Sequence, residues 1–179
     1  YVVADEMYEM LVYGEQKHIS IASLGKDIYD RTITCSGLAK SYAMTGWRIG
    51  YTGSSKEIAK MMGSVQSHQT SNPNSIAQKA AVEALTGPQD SVKKMHAEFD
   101  KRRKYKRICD MDLLDALEPM GAFYVFVDGS AVLGKSYKGT KIESVPQMAD
   151  ILINEYNTAI VPCADFGFPD CFRLSYAIS

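Results

Sequence analysis

The sequence predicts an α/β fold followed by a smaller α+β lobe, and three observations carry that reading. Short β-like runs, Val2–Ala4, Thr32–Cys35 and Trp47–Thr52, are broken by glycine and small polar residues. Helical periodicity then takes over from residue 54. Further on, strands return around one helix, the pattern of an α+β lobe.

Taken in order, Val2-Val3-Ala4 leads into Asp5-Glu6-Met7-Tyr8-Glu9. A carboxylate at the end of a buried strand needs a partner. Asp5 is therefore a candidate ligand contact or, alternatively, a helix cap or loop carboxylate. Glu6 and Glu9 read as solvated or structural. From Leu11 to Tyr29 the pattern is loose, a connection with one helical turn before the next strand. After Thr32–Cys35, Ser36-Gly37 breaks the alternation and Lys40 sits in the turn beyond. Thr45-Gly46 breaks the chain again. Period-two alternation over Trp47–Thr52 then predicts a strand with Arg48, Gly50 and Thr52 on one face. Lys40 and Arg48 thus project from the ends of consecutive extended segments, where open α/β folds place ligands.

Ser54-x-x-Glu57 is a capping-box signature. The helix it starts runs through Ile58, Met61, Met62 and Val65, a stripe expected in the core. Thr70–Ser75 interrupts, and a second helix spans Ile76–Leu85 before Gly87-Pro88. Residues 88 to 117 read as one long helix. Its cations (Lys93, Lys94, Lys101 to Lys104, Lys106, Arg107) are interrupted by Glu98 and Asp100 and backed by Phe99, Ile108, Leu113, Leu114 and Leu117. That is a solvated helix face rather than a nucleic-acid patch. A strand at Ala122–Val127, a helix at Val145–Tyr156 and strands at Thr158–Pro162 and Cys171–Ala177 complete the chain. Arg173 lies inside the last apolar run and calls for a carboxylate, either a structural acid or the α-carboxylate of an amino acid.

Composition narrows the function. A net charge of −1 offers no general attraction to nucleic acid or to an anionic membrane. No apolar run approaches membrane-spanning length, and the N-terminus is not a signal peptide. Cys35, Cys109, Cys163 and Cys171 have no C-x-x-C spacing and read as reduced thiols of a cytoplasmic protein. His18, His68 and His96 are too far apart for a local ligand pair, so no metal site is expected. The chain opens inside an apolar strand without an initiator methionine and stops just after another strand, which predicts a piece of a longer polypeptide.

A free lysine amine, with a pKa of about 10.4, is a poor nucleophile at neutral pH. Desolvated or beside another cation, it forms Schiff bases with carbonyl compounds, pyridoxal phosphate among them. An arginine nearby suits a phosphate through two parallel charge-assisted hydrogen bonds. The alternative for Lys40 and Arg48 is a pair of snorkelling surface cations.

The run Lys40 to Tyr51, with Met44-Thr45-Gly46-Trp47-Arg48-Ile49-Gly50-Tyr51, resembles the cofactor-lysine motif of fold-type I pyridoxal-phosphate aminotransferases, in particular those similar to aspartate aminotransferase. Asp5-Glu6-x-Tyr8-Glu9, Pro119 with Gly121-Ala122-Phe123-Tyr124, and Phe172-Arg173-Leu174-Ser175-Tyr176-Ala177 match further motifs of that family. The match covers essentially the whole chain but only the second half of the family's members. The resemblance implies that residues 1–100 form the C-terminal part of a large domain, a mostly parallel sheet with flanking helices. Residues 101–179 would form a small C-terminal domain truncated at its end.

By the same resemblance, pyridoxal 5'-phosphate is the cofactor and Lys40 carries it as an internal aldimine. Arg48 binds its phosphate, Asp5 pairs with the pyridine nitrogen, and Tyr8 hydrogen-bonds the phenolic oxygen. Ser36 is a candidate phosphate contact displaced by one residue, since Gly37 occupies the position where many relatives carry serine. Arg173 would hold the substrate α-carboxylate. The implied reaction is ping-pong transfer of an amino group between an amino acid, aspartate being the candidate, and a 2-oxo acid. The implied assembly is a homodimer, with the Ser71–Pro73 segment near the partner's site. The chain alone is expected to be inactive. Rival readings are a pyridoxal-phosphate lyase or decarboxylase on the same fold, and a non-enzymatic effector domain of a transcriptional regulator.

Overall fold

The computed structural model describes residues 1–104, 108 and 110–177. The chain divides into two compact units, Tyr1–His96 and Ala97–Ser179.

In the first unit, β1 (Val2–Asp5) leads through a turn and a 3-10 segment (Ile21–Ser23) to a one-turn helix, α1 (Lys26–Tyr29). Then come β2 (Thr32–Gly37) and β3 (Gly50–Gly53). The sheet order is β1-β2-β3, with β1 parallel and β3 antiparallel to β2. Two pairings set the geometry of the strand ends: Asp5 stands opposite Cys35, and Gly37 opposite Gly50. β3 starts later than the alternation predicts. Thr45–Trp47 forms a 3-10 turn and Arg48 adopts the left-handed region at φ 52°, which ends any extended run there. Arg48 therefore precedes the strand and does not share a strand face with Gly50 and Thr52.

Helices α2 (Lys56–Gln69) and α3 (Ser75–Thr86) follow. Ser55, not Ser54, caps α2, its hydroxyl accepting from the Ile58 N–H, while the Ser54 hydroxyl donates to the Ser55 carbonyl. Asn74 caps α3 by accepting from the Ile76 and Ala77 N–H groups. The methionine stripe of α2 is not core. Met61 and Val65 are each 56% exposed, and with Ile58 and Met62 they line a shallow apolar groove. The unit's most deeply buried side chains lie elsewhere, at Leu11, Tyr13, Thr32 and Leu38. Tyr13 packs its ring 5.0 Å from that of His96, whose Nε2 is 2.8 Å from the Val12 carbonyl.

Helix α4 (Asp90–Arg103) is shorter than the 88–117 span expected. Asp115–Ala116 is instead a strand, β4, and Lys106 and Arg107 fall outside the described residues, as does Cys109. Nor is its basic face wholly solvated. Arg103 is buried and paired with Asp100 at 2.7 Å and Glu118 at 2.6 Å. Burial works against its charge, but those two carboxylates outweigh it.

The second unit is built on a four-stranded antiparallel sheet, order β4-β5-β9-β8, with β5 (Tyr124–Asp128), β8 (Val161–Pro162) and β9 (Cys171–Ser175). Two short strands, β6 (Ser136–Tyr137) and β7 (Thr140–Lys141), form a hairpin. Helix α5 (Val145–Tyr156) has the predicted bounds, capped by Ser144 and closed by Asn157 in the left-handed region. β5 begins at Tyr124 rather than Ala122 because Ala122, at φ 59°, turns the chain just before it. Val127, Phe172, Ile142, Val145 and Met148 form the core between sheet and helix.

Because Phe172 is 3% exposed at the centre of that core, Phe172→Ala should cost about 3–5 kcal/mol. Denaturant titration followed by circular dichroism should show the midpoint falling accordingly.

Candidate active site

The sheet of the first unit delivers three segments to one end. β1 and β2 are parallel, so Asp5 at the end of β1 and Lys40, in the turn after β2, lie beyond the same edge. β3 runs the opposite way, so Arg48 just before it returns to that edge. Gly37 and Gly50 permit the strands to close there. A Cβ on Gly37 would meet the Gly50 Cα at 3.0 Å and the Ile49 carbonyl oxygen at 3.1 Å. This crowding gives a physical reason for glycine, rather than serine, three residues before the lysine.

Lys40 is half-buried, with its Nζ 6.0 Å from the centroid of the Tyr8 ring. Asp5 is exposed, and its Oδ1 accepts the Met7 N–H at 3.2 Å, so the carboxylate closes the turn that presents Tyr8. The expectation of a carboxylate at the end of a buried strand is thereby corrected. Arg48 is exposed and Nη1 donates to the Thr45 carbonyl at 2.8 Å. A groove beside it is lined by Ala43, Gly46, Trp47, Asn74, Ile76 and Ala77. The polar break before α3 therefore reaches the same groove. Ser36 is buried and its hydroxyl donates to Glu9 Oε1 at 2.8 Å, so this hydroxyl is already engaged within the protein.

Two residues left without a role by the sequence prove central to this edge. Glu6 is 8% exposed; its carboxylate accepts from Ser20 Oγ at 2.9 Å and the Ile21 N–H at 3.2 Å, and lies 2.9 Å from His18 Nε2. Burial pushes the Glu6 pKa up, but His18, Ser20 and Ile21 together hold it below its usual value of 4.5. Glu9 accepts from Ser36 and, at 3.4 Å, from Tyr51 OH. Glu6, Glu9 and His18 bring one potential ligand atom each within 4.8 Å of one another. Spacing between histidines does not reveal this mixed grouping, because two of its three members are carboxylates.

Arg173 belongs to the second unit, on β9 opposite Phe126 of β5 and Val161 of β8. Its guanidinium carbon lies 4.5 Å from the Tyr124 ring centroid and 5.2 Å from that of Phe166. Its Nε is buried and has no hydrogen-bond partner. Among the described residues no acid forms an ion pair with it, so the alternative of a structural salt bridge finds no partner there. A buried donor without a partner is rare in a folded protein, and this one sits on a half-buried side chain.

Residues 1–179 match the sequence profile of the family described as aminotransferase class I and II. Aspartate aminotransferase of Bacillus sp. (strain YM-2) is 40% identical over 180 residues, covering 99% of this chain and 45% of that protein. Aspartate/prephenate aminotransferase of Cereibacter sphaeroides is 42% identical over 180 residues, with the same coverage. Among solved structures, the aspartate aminotransferase from Rhizobium meliloti superposes with a TM-score of 0.92 at 42% identity, over 99% of this chain and 45% of that one. The aromatic aminotransferase from Pyrococcus horikoshii gives 0.87 at 33% identity, over 99% and 46%. The chain thus spans about 45% of the length of the curated relatives it matches.

The Glu6 contacts predict a pH dependence. A carboxyl whose folded pKa lies below its unfolded one contributes stability above the unfolded value, and that contribution is lost as pH falls through the folded value. Stability measured by denaturant titration should therefore decline on acidification from about pH 5 downward. In Glu6→Gln the decline over that window should be shallower, with lower stability at neutral pH.

Proposed function

The chain belongs to the class I and II aminotransferase family, with that family's α/β fold, and from that premise we propose that the protein carrying it is a pyridoxal-phosphate-dependent aminotransferase. The transfer runs between an amino acid, aspartate being the proposed donor, and a 2-oxo acid. The single observation that carries this reading is the convergence of Lys40, Tyr8, Asp5 and Arg48 on one sheet edge. An amine, a phenol, a carboxylate and a guanidinium form a donor set complementary to an aldehyde, a ring oxygen, a pyridinium and a phosphate.

When bound, pyridoxal phosphate supplies the electron sink that makes the substrate Cα–H acidic. The remaining work belongs to the protein. Lys40 would be the residue that tethers the cofactor aldehyde, and its amine would serve as the base that takes the proton from the substrate Cα. Asp5 would keep a proton on the ring nitrogen, and Tyr8 would donate to the ring oxygen. Arg48 would neutralise the phosphate. Arg173 would orient the substrate through its α-carboxylate, with the Tyr124 and Phe166 rings beside the guanidinium. The unpartnered Nε supports that role. Ser36 acts through Glu9 rather than by touching the phosphate.

In this reading residues 1–100 complete a large cofactor-binding domain and 101–179 form most of a small one. The 179-residue chain alone is inactive. A homodimer fits the exposed apolar residues of α2 and α3, among them Met61, Val65, Ile76 and Val82. No helix among the described residues is long and apolar enough to cross a membrane. A cytoplasmic setting accords with the free thiols of Cys35, Cys163 and Cys171.

The test is an amino-donor screen on the full-length protein. Keto-acid formation from aspartate should require a 2-oxo acid acceptor; sustained release without one would mean lyase chemistry instead. Lys40→Ala should lower kcat by about 10²–10⁴-fold. Arg173→Ala should raise KM for the amino donor by at least about tenfold, and Arg173→Lys should not restore it.

A further inference from the structure

We propose that Glu9 is the positioning residue that sets Tyr8, Lys40 and Arg48 relative to one another, an inference resting on the reading of Lys40 as the cofactor-bearing lysine. Its Oε1 accepts from two hydroxyls, Ser36 Oγ at 2.8 Å and Tyr51 OH at 3.4 Å. Ser36 and Tyr51 stand directly opposite each other across the β2–β3 ladder. One carboxylate, entering from a third segment, therefore bridges both members of a cross-strand pair.

The placement of that pair gives the contact its consequence. Glu9 directly follows Tyr8, Ser36 lies four residues before Lys40, and Tyr51 lies three residues after Arg48. Each ligand-facing position is thus within four residues of an atom bound to, or belonging to, one carboxylate. Ser36 is 5% exposed, so its hydroxyl has little access to water as a substitute acceptor. Loss of Glu9 would leave a buried donor unmatched at the strand end that delivers Lys40. The turn is gripped on its other side by Glu6 through Ser20 and Ile21, and Met7 of the same turn packs toward Gly37.

The experiment measures cofactor affinity in the full-length protein by titration with pyridoxal phosphate, reading the absorbance of cofactor attached at Lys40, with thermal melting alongside. Glu9→Ala should weaken binding by about tenfold or more. Glu9→Gln keeps a carbonyl acceptor for both hydroxyls and should restore affinity to within about threefold. Ser36→Ala should reproduce most of the loss, and the Glu9→Ala/Ser36→Ala double variant should bind no more weakly than Glu9→Ala alone. Should Glu9→Ala not fold, Ser36→Ala and Tyr51→Phe carry the same test, each expected to weaken binding. Wild-type affinity in Glu9→Ala, equal losses in the Ala and Gln variants, or additive losses in the double variant would overturn the proposal. A wild-type protein that takes up no cofactor at Lys40 would instead remove the reading beneath it.

Discussion

The contact between Gly37 and Gly50 is the constraint on which the rest of the first unit depends. Two strands of opposite direction meet there with no side chain between them, and a Cβ on either glycine would lie 3.0 Å from the facing backbone. Because side chains alternate along a strand, a slip of one residue would turn Ser36 away from Glu9 and displace the start of the lysine turn. Parallel pairing of β1 with β2 then brings the Asp5 turn to the same edge. The grouping of side chains at that edge is thus a consequence of register, and the two glycines let the strands approach closely there.

Around this edge the turn Asp5–Glu9 divides its polar side chains between two tasks. Asp5 and Tyr8 sit where a ligand could reach them, Asp5 exposed and Tyr8 beneath Lys40. Glu6 and Glu9 are turned inward to hydroxyl, imidazole and amide groups. A buried carboxylate is tolerable only when such partners surround it, and those partners fix the turn from two sides. The second unit offers a simpler case. Alternation along β9 sends Phe172 into the core and Arg173 to the other face, between Tyr124 and Phe166. Two aromatic rings flank the guanidinium, yet its Nε has no acceptor.

What could be read in the sequence was what is local. Helix α5 matches its expected bounds because Ser144 and Asn157 supply cap and stop within the segment itself. Lys40, Asp5 and Arg48 were identifiable as candidates because glycine breaks and strand ends surround them. The left-handed backbone at Arg48 was not visible, since alternation alone cannot separate a strand from a 3-10 turn leading into one. The methionines of α2 have helical spacing, but periodicity says which residues share a face, not what covers it. The partners of Glu6 and Glu9 lie 12 to 42 residues away along the chain, beyond the reach of any spacing rule. The basic helix is shorter than its pattern suggests for a related reason: the apolar spacing of Leu113, Leu114 and Leu117 continues past Arg103, whereas β4 pairs with β5, a partner that local periodicity does not reveal.

The claim that the sheet edge presents one lysine to a carbonyl cofactor has a direct chemical readout. Full-length protein incubated with pyridoxal phosphate and reduced with borohydride should, after digestion and mass spectrometry, carry the phosphopyridoxyl mass on the peptide containing Lys40 at near one equivalent per chain. A distribution of label over exposed lysines such as Lys56 and Lys93, with Lys40 unmodified, would contradict the account.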